Sequence, residues 1–284
     1  MDTIAQSAAL DPSTFGNTDR ARFWRETRHG GLECLSAAFR VHRYAPHSHD
    51  TFVIGVIEAG CEAYRLRGER HYAMAGDVCF VNPGEVHDGE PLGDGYAYRM
   101  TYPSEALMAA VAADLRDRDA HGVPHFRSAV VTDPEAFALF GRAHRLLEAG
   151  AGALGADEAL LAAYALLVER HADVPARPLA EAPAAVQRAR DYLDAHHTED
   201  VDLATLAAVA GLSRHHLVRA FKRHTGLTPH AFQTDRRVRT ARRLLGAGEA
   251  LADVAAACGF SDQSHLTRVF KARVGVPPGA FRVA

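Results

Sequence analysis

The stretch Gly211 to Phe232, GLSRHHLVRAFKRHTGLTPHAF, returns near the C-terminus as GFSDQSHLTRVFKARVGVPPGAF from Gly259 to Phe281. Gly211, Leu212 and Ser213 pair with Gly259, Phe260 and Ser261 at an offset of 48 residues. After one inserted residue the offset is 49, and it holds for Leu217/Leu266, Arg219/Arg268, Phe221/Phe270, Lys222/Lys271, Gly226/Gly275, Pro229/Pro278 and Phe232/Phe281. Shared composition does not keep register over so many positions, so this part of the chain must fold as two consecutive copies of one unit.

Each copy reads as helix, tight turn, helix. In the first, Leu203, Leu206, Ala207 and Ala210 form an apolar stripe that stops at Gly211, a residue suited to the left-handed position after a helix. Ser213 is placed to cap the next helix, where Leu217, Ala220 and Phe221 recur at helical spacing toward the interior. Arg214, His215, Val218, Arg219 and Lys222 are then expected on the outer face. In the second copy Leu251, Val254 and Ala255 build the supporting helix, Gly259 makes the turn and Ser261 is the expected cap. Leu266, Val269 and Phe270 face inward, leaving Gln263, Ser264, Thr267, Arg268 and Lys271 outside. A row of Gln, Thr and Arg carries the donors and acceptors that bond base edges in a major groove.

Charge is segregated in the same sense. Residues 183–284 carry 15 Arg plus Lys against 9 Asp plus Glu, a net +6; the whole chain stands at −3, so residues 1–182 carry −9. Only the C-terminal third offers a field suited to a polyanion. Of the 32 basic residues only Lys222 and Lys271 are lysine, at equivalent repeat positions. That match fits a phosphate contact after each recognition helix, and it fits common descent of the repeat equally well.

The segment from about 185 to 282 resembles the paired helix-turn-helix domain of the AraC/XylS family of bacterial transcription regulators. The resemblance rests on the two units, on a joining helix from Phe232 to Leu245, and on the G-x-x-P-x-x-F element that closes each unit. It implies two recognition helices in successive major grooves on one face of double-stranded DNA, about one helical turn apart. It also implies DNA contacts from Ser213, Arg214, His215, Val218, Arg219 and Lys222 in the first unit, with Val218 limited to apolar contact with a thymine methyl. In the second unit the corresponding set is Ser261, Gln263, Ser264, Thr267, Arg268 and Lys271. His215 and His216 on the first recognition helix would permit a pH-sensitive contact, since a free imidazole titrates near pH ~6.5.

A length of 284 residues is enough for about two cores. Between His171 and Val186 the composition changes to ADVPARPLAEAPAA, which is linker-like. The expected organisation is an arm over 1–25, an effector-binding and helical dimerisation domain over 26–172, a linker over 173–184 and a DNA-binding domain over 185–284. Cys34, Cys61, Cys79 and Cys258 form no C-x-x-C pair, no apolar run reaches membrane length, and the first residues lack the features of an export signal. A reduced, cytoplasmic protein is expected.

From Leu32 to Tyr102 short β-rich runs, FRVHRY, TFVIGVIEAG, AYRLRG, DVCFVNPGEVH and YAYRMTY, alternate with turn residues, a texture of sandwiches and small barrels. Within them, His47-Ser48-His49 precedes a strand at Thr51–Ile57, and Gly76-Asp77-Val78 leads to Pro83-Gly84-Glu85-Val86-His87. This pair of segments resembles the two half-motifs of a cupin barrel. The fold class expected is therefore α+β: a cupin-like β-barrel with appended helices, then an all-α domain of two helix-turn-helix units.

The cupin resemblance implies that His47, His49 and His87 converge as a set able to hold a divalent metal ion such as Zn, Fe, Mn or Ni. The glutamate that usually completes an enzymatic site is absent, because Asp50-Thr51-Phe52-Val53-Ile54 follows His49 and Asp50 would face away on a regular strand. Histidines that only hydrogen-bond, without a metal, are the other reading. A small effector site would be lined by His47, His49, His87, Tyr98 and Trp24; the facing of Tyr64 and Arg65 is not set by the pattern.

Between Pro103 and His171, SEALMAAVAADLRDR, PEAFALFGRAHRLLEAG and DEALLAAYALLVERH have helical spacing, with Asp133-Pro134 opening the second. Leu139, Phe140, Ala143, Leu146 and Leu147 with Leu160, Leu161, Tyr164, Leu167 and Val168 would either cover the barrel or form a dimer seam; the AraC/XylS resemblance implies a homodimer. The function expected is transcription regulation without catalysis, in which a small-molecule effector alters promoter affinity or contact with RNA polymerase. Two other classes compete with it: a cupin metalloprotein or enzyme with a DNA-binding tail, and a constitutive regulator whose barrel only dimerises.

Overall fold

The computed structural model describes residues 15–115, 122–150, 152–173, 182–274 and 277–283. The chain divides into two compact units, residues 1–150 with 159–177 and residues 151–158 with 178–284. The first carries eight antiparallel strands: β1 (Arg20–Glu26), β2 (Leu32–Phe39), β3 (Tyr44–His47), β4 (Val53–Leu66), β5 (Glu69–Met74), β6 (Asp77–Val81), β7 (His87–Tyr102) and β8 (Val130–Thr132). Their order is β1-β2-β7-β4-β6-β8, with β3 also on β7 and β5 also on β4. One core cluster takes Leu35 and Phe39 from β2, Ile57 and Tyr64 from β4, Val81 from β6, and Tyr98 and Met100 from β7. The sheet thus curls around a single interior.

The long strands make that curl. Gly60 does not end a strand between TFVIGVIEAG and AYRLRG as the turn-like composition suggested; β4 runs through it. Gly60 has φ +71, and a Cβ there would stand 1.9 Å from the Gly95 carbonyl oxygen. The β4–β7 register shifts between Ile57 and Ala59 and again between Gly60 and Cys61. Bulges of this kind bend a strand and change which side chains point inward.

Of the expected arm over 1–25, residues 1–14 lie outside the described residues, and its C-terminal part is not an arm, because β1 pairs with β2 from Arg20↔Ala38 to Glu26↔Leu32. The carboxylate of Asp19 accepts hydrogen bonds from the backbone N–H groups of Gly16, Arg40 and His42 at 2.9, 2.6 and 3.1 Å. Its burial opposes ionisation, but these backbone donors outweigh that and hold its pKa below the usual carboxylate range. The same bonds explain why FRVHRY is not one strand: β2 stops at Phe39, and Arg40–His42 turn around Asp19.

Three helices follow: α1 (Glu105–Leu115), α2 (Pro134–Glu148) and α3 (Ala153–His171). Asp133 caps α2 by accepting from the Ala136 N–H, with Pro134 in the first turn as expected. His144 of α2 contacts the Met100 carbonyl at 3.1 Å, and the Tyr164 hydroxyl of α3 donates to Thr101 Oγ1 at 2.8 Å. Phe140, Ala143 and Leu147, with Leu160, Leu161, Tyr164, Leu167 and Val168, are buried within the chain, so this apolar face covers the sheet.

The second unit is helical: α4 (Pro183–Ala195), α5 (Leu203–Ala210), α6 (Arg214–Thr225), α7 (Pro229–Gly246), α8 (Leu251–Ala257), α9 (Gln263–Val274) and α10 (Pro278–Val283). Its first helix starts two residues before 185, with Pro183 at its N-terminus; the expected linker lies largely at 174–181, outside the described residues. Gly211 is left-handed at the end of α5, and Ser213 caps α6 through the His216 N–H. In the second copy the cap is Asp262, not Ser261, since Asp262 Oδ1 accepts from the His265 N–H at 2.7 Å. The inserted residue falls in the turn, so the cap has already moved to the 49-residue offset. Val238, Ala241, Leu245, Val254, Leu266 and Phe270 form the core of this copy.

The close approach at Gly60 has a measurable cost. Gly68, in the β4–β5 hairpin, also has positive φ, +81, but no heavy atom within 4 Å of a Cβ. Gly68→Ala should destabilise by about 1 kcal/mol through its left-handed backbone alone, and Gly60→Ala by at least about 3 kcal/mol, since backbone must move as well. Urea unfolding followed by fluorescence of Trp24, the one tryptophan, reads the first unit.

Candidate effector cavity and nucleic-acid interface

The interior of the sheet opens into a cavity of about 480 Å³, counting its open mouth. His47 comes from the end of β3, His49 from the segment before β4 and His87 from the start of β7. One nitrogen from each lies within 4.8 Å of the other two. His47 Nδ1 is 2.7 Å from the Ala45 carbonyl and His87 Nδ1 is 3.1 Å from the Glu85 carbonyl. Burial lowers the His47 pKa; it holds His87 down to about 3, aided by the neighbouring His47. Both rings are therefore neutral at physiological pH, with Nδ1 the protonated nitrogen wherever it faces a carbonyl.

The other expected lining residues divide. Tyr98 lines the cavity, its hydroxyl 2.8 Å from that of Tyr44. Trp24 does not: its ring stands edge-on to His144, centroids 5.0 Å apart, among the packing of α2. Alternation along β1 explains the difference, because Phe23 packs on the interior cluster and its neighbour Trp24 must face the opposite side. Asp50 is exposed. Tyr64 points into the cavity, its hydroxyl donating to the Ala129 carbonyl at 2.9 Å, and Arg65 points out.

Glu62 was missed. It lines the same cavity, is 8% exposed, and accepts a hydrogen bond from the Tyr96 hydroxyl at 3.1 Å. Burial pushes its pKa up to about 7, against the Tyr96 hydrogen bond and with help from Asp88. The signal lay in Glu62, Tyr64 and Leu66 at alternate positions, but inward residues before Gly60 are odd-numbered, Val53 and Ile57, and only the register shifts reveal the change of parity.

On the helical unit, α9 presents what the repeat promised. Gln263, Ser264, Arg268 and Lys271 are exposed and Thr267 is half-buried. The Thr267 hydroxyl donates to the Gln263 carbonyl at 2.8 Å, which leaves its oxygen to accept. Ser261 Oγ lies 3.1 Å from His265 Nδ1. On α6, Arg214 and Arg219 are half-buried and Lys222 is exposed. His215 and Val218 are not on the outer face: they are 4% and 8% exposed. The buried arc of α6 is wider than Leu217, Ala220 and Phe221 alone, and these two residues are its edge.

A family model described as the AraC-like ligand binding domain matches residues 29–164, and one described as a helix-turn-helix domain matches 206–284. YbfI of Bacillus subtilis, an uncharacterized HTH-type transcriptional regulator, is 30% identical over 79% of this chain and 82% of its own length. The chain belongs to the AraC family of transcriptional regulators. RhaS of Enterobacter, an HTH-type transcriptional activator, is 27% identical over 78% of this chain and 81% of its own. Among solved structures, the DNA-binding domain of the global transcriptional factor AdpA, in complex with a target DNA, is 30% identical with a TM-score of 0.33, covering 37% of this chain and 92% of that one. This AraC-family protein is a DNA-binding transcription regulator with an N-terminal ligand-binding domain, and the relatives named above are transcriptional regulators.

Burial in this AraC-family α6 also overturns the expected titration of His215. Its pKa is lowered to about 4, by burial first and then by Arg219 and His216. A folded-state pKa below the unfolded value of about 6.5 means that unfolding takes up a proton, so this contribution to stability is complete above pH ~6.5 and is lost as pH falls toward 4. Hydrogen-exchange protection of the α6 amides should weaken between pH 7 and 4.5, and His215→Leu should flatten that slope. His215 itself should contribute no pH dependence to operator binding between pH 6 and 8.

Proposed function

We propose that this protein is a one-component cytoplasmic regulator that binds promoter DNA as a homodimer, with α6 and α9 as its recognition helices. The observation that carries the DNA reading is the matched outer surface of the two units: Arg219 and Arg268, and then Lys222 and Lys271, recur on repeated helices that the same core residues hold. Arg214 and Arg219 read bases from α6, and Gln263, Ser264, Thr267 and Arg268 from α9; Ser213, Ser261 and the two lysines hold phosphates. No helix among the described residues is long and apolar enough to cross a membrane. Several relatives are named activators, which supports contact with RNA polymerase at the promoter.

Arg219→Ala and Arg268→Ala should each relax preference at one base pair at a cost of about 1–3 kcal/mol, and Lys271→Ala should weaken all sequences alike and lower the salt slope by about one. Val218→Ala should leave base preference unchanged. Binding to a selected operator that both arginine variants leave unaltered would refute the assignment.

The cavity between β3, β4 and β7 is the effector site in this reading. Effector binding shifts regulation only if it favours one arrangement of the protein over another. A divalent metal on His47, His49 and His87 is the second reading. It is favoured by the two Nδ1–carbonyl contacts, which orient an imidazole to ligate through its other nitrogen. A bound metal would supply a Lewis-acidic centre for an effector's oxygen or nitrogen. Elemental analysis of protein made without a histidine tag decides: about one equivalent per chain supports the metal, and less than a tenth rejects it.

A further inference from the structure

Among the described residues, the cavity wall carries two carboxyl groups and no arginine or lysine. Its ionisable lining comprises Glu62, Asp88, the three histidines, Cys79 and four tyrosines. Glu62 is more than nine-tenths buried and faces this space, and its one hydrogen bond among those described comes from Tyr96. A buried carboxylate without a cation is a poor end state, because burial disfavours its charge unless a partner compensates it.

The histidines add acceptors. The carbonyls of Ala45 and Glu85 can only accept, so the Nδ1 atoms of His47 and His87 carry the hydrogens and each Nε2 offers a lone pair. The wall therefore asks for a donor that is also a cation. Tyr44, Tyr64, Tyr98 and Tyr102 supply ring faces and edges around the same space, a lining that attracts organic cations.

Two kinds of cation ask for different spacings. Around a metal at ordinary Zn–N lengths of ~2.0–2.1 Å, neighbouring nitrogens stand about 3.0–3.4 Å apart. Around a primary ammonium at ordinary hydrogen-bond lengths, the three acceptors stand about 4.7 Å apart. The imidazole nitrogens lie within 4.8 Å of one another, a span that admits either arrangement, so the choice between them rests on the rest of the wall.

Resting on the reading of this cavity as the effector site, we infer that the effector is a small organic primary amine. Its ammonium is held by the imidazole nitrogens of His47, His49 and His87, its charge is compensated by Glu62, and its carbon skeleton lies against the tyrosine rings. A carboxylate or phosphate ligand would meet Glu62 and Asp88 with no arginine or lysine among the described lining residues.

The test is calorimetric titration of the full-length protein with two matched series: n-butylamine, n-butanol and butyrate, and 2-phenylethylamine, 2-phenylethanol and phenylacetate. Phenylethyltrimethylammonium and Zn²⁺ are titrated in parallel. In at least one series the amine should bind at least tenfold more tightly than its alcohol and its carboxylate, and 2-phenylethylamine at least tenfold more tightly than its trimethylated form, which has no N–H to donate. Glu62→Gln should weaken the amine at least tenfold, whereas the exposed-residue control Asp50→Asn should bind it as the unaltered protein does. The comparison with the trimethylated form needs no variant, so it decides the matter even if Glu62→Gln does not fold. Alcohol or carboxylate binding as tightly as the amine, or stoichiometric Zn²⁺ with no amine binding, overturns the amine and leaves the cavity as a ligand site if His47→Ala abolishes that binding. Failure of every probe overturns both.

Discussion

At Gly60 and Gly95 two strands pass so closely that neither residue can carry a side chain. A Cβ at Gly60 would lie 1.9 Å from the Gly95 carbonyl oxygen, and one at Gly95 would lie 2.3 Å from that of Phe39. The strands bend there, and the register slips on either side. With a side-chain period of two, a slip of one residue exchanges the faces of everything beyond it. Val53 and Ile57 point inward before the bend; Glu62, Tyr64 and Leu66 do so after it. The chemistry of the cavity follows from that exchange, because without it Glu62 would be on the surface and Arg65 inside.

Around this bend the unit secures its polar groups with backbone partners. Asp19 gathers the N–H groups of the Arg40–His42 turn, and His47 and His87 each set one ring nitrogen on a nearby carbonyl. Asn82 does the same for the β6–β7 connection, accepting from the Phe126 N–H at 2.9 Å and donating to its carbonyl at 3.0 Å. Such contacts set the direction of each imidazole before a ligand arrives, which reduces the ordering cost of binding.

The helical unit shows how a duplication diverges without losing its core. Leu217 and Phe221, like Leu266 and Phe270, are fully buried. The outer faces differ more. Ser264 and Thr267 remain accessible on α9, whereas the equivalent His215 and Val218 are covered on α6. The extra residue before α9 moves the cap from a serine to Asp262, and an acidic residue suits the positive end of a helix. The two units therefore carry different outer surfaces on one scaffold.

Periodicity, register and turn chemistry made the double helix-turn-helix and the helical stretch after the β-rich region legible in the amino-acid sequence, because those signals are local or repeat at a fixed interval; the three converging histidines were legible only through the resemblance to a cupin. The facing of Trp24, the coverage of His215 and Val218 and the inward turn of Glu62 were not legible. Each depends on which distant segment lies against it: α2 for Trp24, the surrounding packing for α6, and the backbone crossing at Gly95 for Glu62. The sequence by itself determined that this chain has two repeated helix-turn-helix units and a β-rich ligand domain. Only the tertiary structure decided which groups line that domain's cavity, since a bulge between strands far apart in sequence changes side-chain facing while leaving the hydrophobic pattern on either side intact.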